Sequence, residues 1–188
     1  SAKKSAAIYR STATADGAWN EPVMLGSEIK KPGFNSQQPS VTPDGKYLLF
    51  ASDRTDGNGG FDLWYAPLDA KGEPGQPVNM GKQINGSGDE QAPYVHAPSQ
   101  SLVFASNGRT GMGGFDLYQS KGTFNSWGEP QNLGYPVNSV KDDLYFISRS
   151  NNKNILSDVL LSSHRASECC LDLFSLQKKA PLKQISGQ

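Results

Sequence analysis

The sequence predicts an all-β chain, a β-propeller of four-stranded antiparallel blades, on three observations. The composition is rich in turn residues, with 20 Gly and 12 Pro among 188 residues, 36% apolar and 10% aromatic residues. That balance suits many short strands joined by tight turns. A pattern recurs at intervals near 54 residues, and such a period signals stacked or radial units. No stretch shows the 3.6-residue apolar period of a helix.

The repeat is carried by several features in one register. TPDGKYLLFASDRTDGNGGFDLWYA (42–66) is echoed by APSQSLVFASNGRTGMGGFDLYQS (97–120) and, more weakly, by ILSDVLLSSHRASECCLDLFSL (155–176). An Asp-Leu-aromatic triplet begins at Asp62, Asp116 and Asp172, and a degenerate copy begins at Ala7. A second element ends in Gly26, Gly81 and Gly134, and proline follows Gln38 and Ala92. Each unit reads as four strands. In the fullest copy, PSVT is first and a Pro43-Asp44-Gly45 turn leads to KYLLFAS, apolar enough for burial on both faces. A Gly-rich loop then leads to FDLWYAP, and QPVNMG supplies a short fourth strand. About four blades are covered. Residues 1–26 read as the outer half of a blade whose inner half lies outside this stretch or is supplied by another strand; further blades occupy 38–81, 90–134 and 141–182.

Balanced charge, 18 basic against 18 acidic residues, argues against a phosphate-binding surface and so against nucleic acid. The longest apolar runs are pentamers such as 47–51, too short to insert into a membrane. Two cysteines build neither a disulfide framework nor a four-thiolate zinc site.

The motifs also carry a family resemblance. TPDGKYLLFASDR followed by GGFDLW resembles the Pro-Asp-Gly repeat of TolB-like propellers. Joined to WGEPQNLGYPVNS, KDDLYFI and CCLDLFSL, it resembles the propeller of Bacteroidetes OmpA-family, peptidoglycan-associated lipoproteins, the PorE-like family of the type IX secretion system. The third unit departs from the pattern, with Ser150-Asn151-Asn152-Lys153 in place of Pro-Asp-Gly and Cys169-Cys170 in place of the Gly pair. The resemblance implies a periplasmic, outer-membrane-associated protein whose propeller spans 1–182. Residues 183–188 would open a carboxypeptidase-regulatory-like domain, and peptidoglycan would be held by a domain outside this chain. The implied partners are envelope proteins of the secretion machinery.

Each polar motif has a structural reading. Asp62, Asp116 and Asp172 recur once per unit and are expected to accept hydrogen bonds from their own loops and from Arg54, Arg109 and Arg165. The acidic loop 53–58 lacks the later glutamate of a calcium loop. The Gly-rich loops precede strands, whereas a phosphate cradle needs a following helix. Cys169 and Cys170 read as small fillers, and Trp19 and Trp127 as packing between blades. His96 and His164 stand apart, and neither a Gly-x-Ser-x-Gly elbow nor a sialidase box is present. The chain is therefore expected to be no enzyme and to use no metal or cofactor. It is expected to act as a protein-binding platform, with a carbohydrate- or peptide-binding central channel as the alternative. Because repeat positions are architectural, partner contacts are sought where units differ: Phe34, Tyr135, Arg149, Asn151 and Asn152.

Overall fold

The computed structural model describes residues 5–124, 126–166 and 170–178, so the expected downstream domain at 183–188 lies outside the described residues. Within them the chain is all-β and every strand pair is antiparallel. Sheet one holds β1 (Tyr9–Arg10) and β2 (Val23–Met24). Sheet two holds β3 (Ser36–Val41), β4 (Tyr47–Ser52), β5 (Asp62–Pro67) and β6 (Val78–Asn79), in that order. Sheet three holds β7 (Glu90–His96), β8 (Ser101–Ser106), β9 (Asp116–Thr123), β10 (Ser126–Trp127) and β11 (Gln131–Asn132). Sheet four holds β12 (Asp143–Ser148), β13 (Val159–Ser163) and β14 (Asp172–Leu176). One 3-10 turn, Ala97–Ser99, joins β7 to β8.

The expectation of four strands in each unit after the incomplete first is met in sheet two and corrected in sheets three and four, which have five and three described strands. The extra strand arises because β9 runs on to Thr123 and folds back, pairing Gly122 with Trp127 and Thr123 with Ser126. That hairpin carries Phe124 onto Tyr47 and Tyr65 of sheet two, with ring centroids 4.2 and 4.8 Å away, and Trp127 packs edge-on to Phe124 at 5.7 Å. Trp19, expected to match Trp127, is instead 71% exposed.

Strand alternation explains the core. In β4, Leu48 and Phe50 turn toward sheet one and join Ile8, Leu25 and Ile29; Leu49 and Ala51 turn toward sheet three and join Leu102, Phe104 and Tyr118. Sheet three repeats the division, with Val103, Ala105 and Leu117 packing on Phe146, Val159 and Leu161 of sheet four. Sheets two and three thus each have one face for the sheet before and one for the sheet after, and apolar side chains run through both. Burying a phenylalanine such as Phe50 or Phe104 contributes about 2 kcal/mol apiece.

The connections between sheets are clamped by polar groups at matching positions. Asn85 reaches back to sheet two: its Oδ1 accepts from the Leu63 N–H at 2.8 Å, and its Nδ2 donates to the Leu63 carbonyl at 3.0 Å. Asn138 does the same with Leu117, at 2.8 and 2.9 Å. Asp89 and Asp142 accept from the Phe61 and Phe115 N–H groups, at 2.8 and 2.9 Å. The Gly-rich loops lie so close to these connections that a Cβ on Gly59 would strike the Gly88 carbonyl, and one on Gly113 the Lys141 carbonyl.

Glu90 opens β7 fully buried, accepting from the Gly86 N–H and from Ser106 Oγ, at 2.8 and 2.7 Å. Burial pushes its carboxyl above the ordinary glutamate value, outweighing those bonds and the nearby Arg109 charge. The folded state then holds this proton more tightly than the unfolded chain. The associated stability is full below the ordinary glutamate range and is lost as pH rises through the raised value.

Three outcomes follow. Gly113→Ala is expected to cost about 1–3 kcal/mol in urea unfolding, because backbone rather than a movable side chain must give way. Asn138→Ala strands the buried Leu117 N–H, while the Leu117 carbonyl keeps its bond from the Leu133 N–H, and is expected to cost about 1–3 kcal/mol. Glu90→Gln should flatten the decline of the urea midpoint as pH rises above the ordinary glutamate range. A wild-type midpoint as level as the variant's would contradict the buried-carboxyl account.

Candidate functional site

The first strands of sheets two, three and four each contain a bulge at a matching place: between Gln37 and Ser40, between Gln91 and Tyr94, and between Leu144 and Phe146. At each bulge a residue other than glycine adopts left-handed backbone: Gln38 at φ 53°, Ala92 at φ 49° and Tyr145 at φ 46°. Such a conformation costs roughly 1 kcal/mol or more and is held only by its surroundings. The bulges turn polar groups out of each ladder and toward the neighbouring first strand.

The three bulges meet. Gln38 Oε1 accepts from the Ala92 N–H at 3.0 Å, and its Nε2 donates to Gln91 Oε1 at 3.1 Å and to Tyr145 Oη at 3.0 Å. One side chain therefore spans all three first strands. Further along, Tyr94 Oη donates to the Ser148 carbonyl at 2.8 Å. Buried His96 donates from Nε2 to the Ser150 carbonyl at 2.8 Å, and its Nδ1 lies in hydrogen-bond contact with Ser99 Oγ at 2.7 Å. Residues 38–40, 92–94 and 145–147 line a cavity of about 150 Å³ whose walls are mainly apolar. Burial pushes the Tyr94 phenol above its ordinary value, so it stays a neutral donor. The cavity offers amide and phenol hydrogen bonds over proline and aromatic surface. Among the described residues no group of three or more His, Cys, Asp or Glu is placed to hold a metal ion.

The repeated aspartates and arginines are placed differently. Asp62 is buried and accepts from the Gly59 N–H at 3.1 Å and from Asn79 Nδ2 at 2.9 Å. Asp116 is buried and accepts from Met112 and Gly113 N–H groups at 2.8 and 3.0 Å. Asp172 is exposed. The expected Arg–Asp pairing within each hairpin is corrected. Arg54 donates to the Ile29 carbonyl at 2.8 Å, Arg109 to Gln83 and Ile84 carbonyls at 2.9 and 3.1 Å, and Arg165 to Pro136 and Val137 carbonyls at 2.8 and 2.6 Å. Each guanidinium lies over its own sheet's aromatics: Arg54 over Phe50 and Trp64, Arg109 over Phe104 and Tyr118, Arg165 over Phe174. Arg165 also meets a carboxylate, that of buried Asp143, at 2.6 Å.

The five residues sought as partner contacts do not form one surface. Phe34 is half-buried in the connection to β3, with Lys31 Nζ 5.7 Å from its ring centre. Tyr135, in the connection to β12, is 80% exposed. Arg149, paired with Asp158 at 2.7 Å, and the exposed Asn151 and Asn152 follow β12, at the opposite end of that strand. Cys170 is exposed rather than a buried filler, and Cys169 lies outside the described residues. Sequence reasoning missed Gln38, Tyr145 and Val140. The register that aligned Gln38 with Ala92 was visible, but nothing local marks a bulge without glycine.

No family model and no curated protein matches the chain. A similar solved structure is that of an alpha-L-arabinofuranosidase from Lactobacillus brevis, with a TM-score of 0.52 and 9% identity over 84% of this chain. The chain spans 56% of that protein's length. At such low identity the likeness shows the fold alone, an all-β arrangement of antiparallel sheets. It nevertheless corrects the expectation of a chain that is no enzyme, because a glycosidase has this arrangement of sheets. The expectation rested on missing linear motifs, whereas catalytic groups converge from separate loops that no local motif records.

Proposed function

We propose that the chain is a run of β-propeller blades that serves as a protein-binding platform in the bacterial cell envelope. In this reading it belongs to an outer-membrane-associated lipoprotein of the periplasm, anchored to peptidoglycan by another domain and working with the type IX secretion machinery. The meeting of three bulged first strands supports the propeller geometry, since radial blades bring their innermost strands to one axis. The motif resemblance supports the envelope setting.

One observation carries the platform. Tyr135 is 80% exposed and Val140 74% exposed, both in the connection between sheets three and four. The matching positions between sheets two and three are Lys82 and Ser87. Repeat architecture therefore does not require apolar groups there, and an exposed aromatic is the kind of residue that anchors a protein partner. A Tyr135→Ala/Val140→Ser double variant should unfold at the wild-type midpoint and bind the envelope partner about thirtyfold more weakly. Pull-down from a Bacteroidetes outer-membrane extract, followed by titration of the recovered protein, measures this. Recovery of no envelope protein, or equal capture by the variant, would overturn the platform.

The axial cavity favours a second reading, a carbohydrate ligand, because the structural neighbour bears the name of an arabinofuranosidase. Saturable binding of α-L-arabinofuranosyl oligosaccharides, or turnover of a chromogenic arabinofuranoside, abolished by Gln38→Ala, would favour it over the platform.

A further inference from the structure

His96 ends β7, and Ser99 closes the short turn that follows it. The two side chains meet, with His96 Nδ1 2.7 Å from Ser99 Oγ. On its far side the imidazole donates from Nε2 to the Ser150 carbonyl at 2.8 Å. A carbonyl only accepts, so Nε2 carries a hydrogen, and in the neutral ring Nδ1 then holds the lone pair. The Ser99 hydroxyl is held from behind as well. Its oxygen lies 2.9 Å from Ser101 Oγ, which is buried and accepts from Gln119 Nε2 at 2.7 Å. A hydroxyl within hydrogen-bond reach of a base, with that base oriented by a third group, is the arrangement of an activated nucleophile.

The repeat does not call for this pair. Thr42 and Ser150 hold the positions that match His96 in sheets two and four. Each caps its own turn with its hydroxyl, Thr42 accepting from the Tyr47 N–H at 3.0 Å and Ser150 from the Asn152 N–H at 3.2 Å. The position that matches Ser99 in sheet two is Gly45, which has no side chain. The pair also opens on a cavity. Ser99 is half-buried and, with Ala97, Pro98, Gln100, Lys121 and Lys153, lines a space of about 400 Å³. Lys121 and Lys153 bring two positive charges to its walls. Among the described residues no carboxylate lines this space or pairs with either lysine.

We propose that Ser99 is an acylatable nucleophile with His96 as its base, and that the cavity beside them takes carboxylic esters bearing an anionic group. Ser99 Oγ attacks the ester carbonyl carbon while its proton passes to His96 Nδ1. The bond to the alcohol oxygen breaks, and His96 gives that proton to the departing oxygen. Water then attacks the acyl-serine carbonyl by the same route, which releases the acid and restores the Ser99 hydroxyl. The sum is ester plus water to acid plus alcohol, with no change of oxidation state. The Ser150 carbonyl holds the imidazole in place through both steps and stabilises its charged form. Two cations with no carboxylate beside them favour an anionic ester and offset the negative charge that grows on the carbonyl oxygen. This activity is independent of the platform at Tyr135 and of the axial cavity at Gln38.

The experiment incubates the full chain with a fluorophosphonate and, separately, with the nitrophenyl monoester of succinate or with nitrophenyl acetate. The fluorophosphonate is expected to label Ser99, located by peptide mass spectrometry, and the succinate ester to protect it. The chain should release nitrophenolate from the succinate ester at least about a hundredfold faster than buffer does. Ser99→Ala should lose that rate, and labelling of the wild-type chain locates the nucleophile without any substitution. Lys121→Gln/Lys153→Gln, at exposed positions, should keep the wild-type unfolding midpoint, raise KM for the succinate ester about tenfold and leave the acetate ester unaffected. A rate no faster than buffer, a label elsewhere than Ser99 or a rate that survives Ser99→Ala would overturn the proposal. An equal effect of the lysine variant on both esters would overturn its anionic substrate class.

Discussion

The capture of each inter-sheet connection by an arginine from the following sheet is the contact on which the rest depends. Arg54, Arg109 and Arg165 each lie over an aromatic ring and donate to carbonyls of the connection that leads into their own sheet. A connection that passes between two apolar faces withdraws some of its backbone carbonyls from water, the Ile29 carbonyl fully, and leaving such a group unpaired would cost about 1–3 kcal/mol. The planar guanidinium suits the task because it can stack on a ring and present several donors in its plane. Asn85 and Asn138 complete the closure of the second and third connections from the other side, tying them to β5 and β9 of the sheet just left behind. With both in place, successive sheets are set at one spacing, and the three bulges can meet.

The fold was largely readable where chemistry is local. The turn at 42–45 announced itself through Pro43 and Gly45, and β4 through its unbroken apolar run. The spacing of Asp62 and Asp116 set β5 and β9 in one register. Reading failed where a side chain leaves its own hairpin. Arg54 stands eight residues before Asp62, so a local pair seemed natural, yet its guanidinium turns back some 25 residues to the Ile29 carbonyl. Asp172 kept the letter of the repeat without its setting: Asp62 and Asp116 are buried as caps of Gly-rich loops, and Asp172 is exposed.

The candidate site was the least legible part. A residue before proline is ordinarily pushed toward extended backbone, so Gln38 before Pro39 and Ala92 before Pro93 would be read as plain strand. Both instead take left-handed backbone, because the interstrand bonds formed at the bulge outweigh the local preference. Tyr145 does the same with no proline beside it and nothing in its neighbours to reveal it. Exposure at Tyr135 was foreshadowed only by comparison between units, since it is a place where the repeat does not repeat, and the same comparison did not reach Val140.

The core is divided into three clusters, each lying at one junction between adjacent sheets. Cohesion in such a chain is a sum of nearest-neighbour terms, as in a one-dimensional lattice, and cooperativity passes only through those junctions. Among the described residues sheets two and three, which carry Gln38 and Ala92, each share two of these junctions, so loosening either one disturbs two clusters at once.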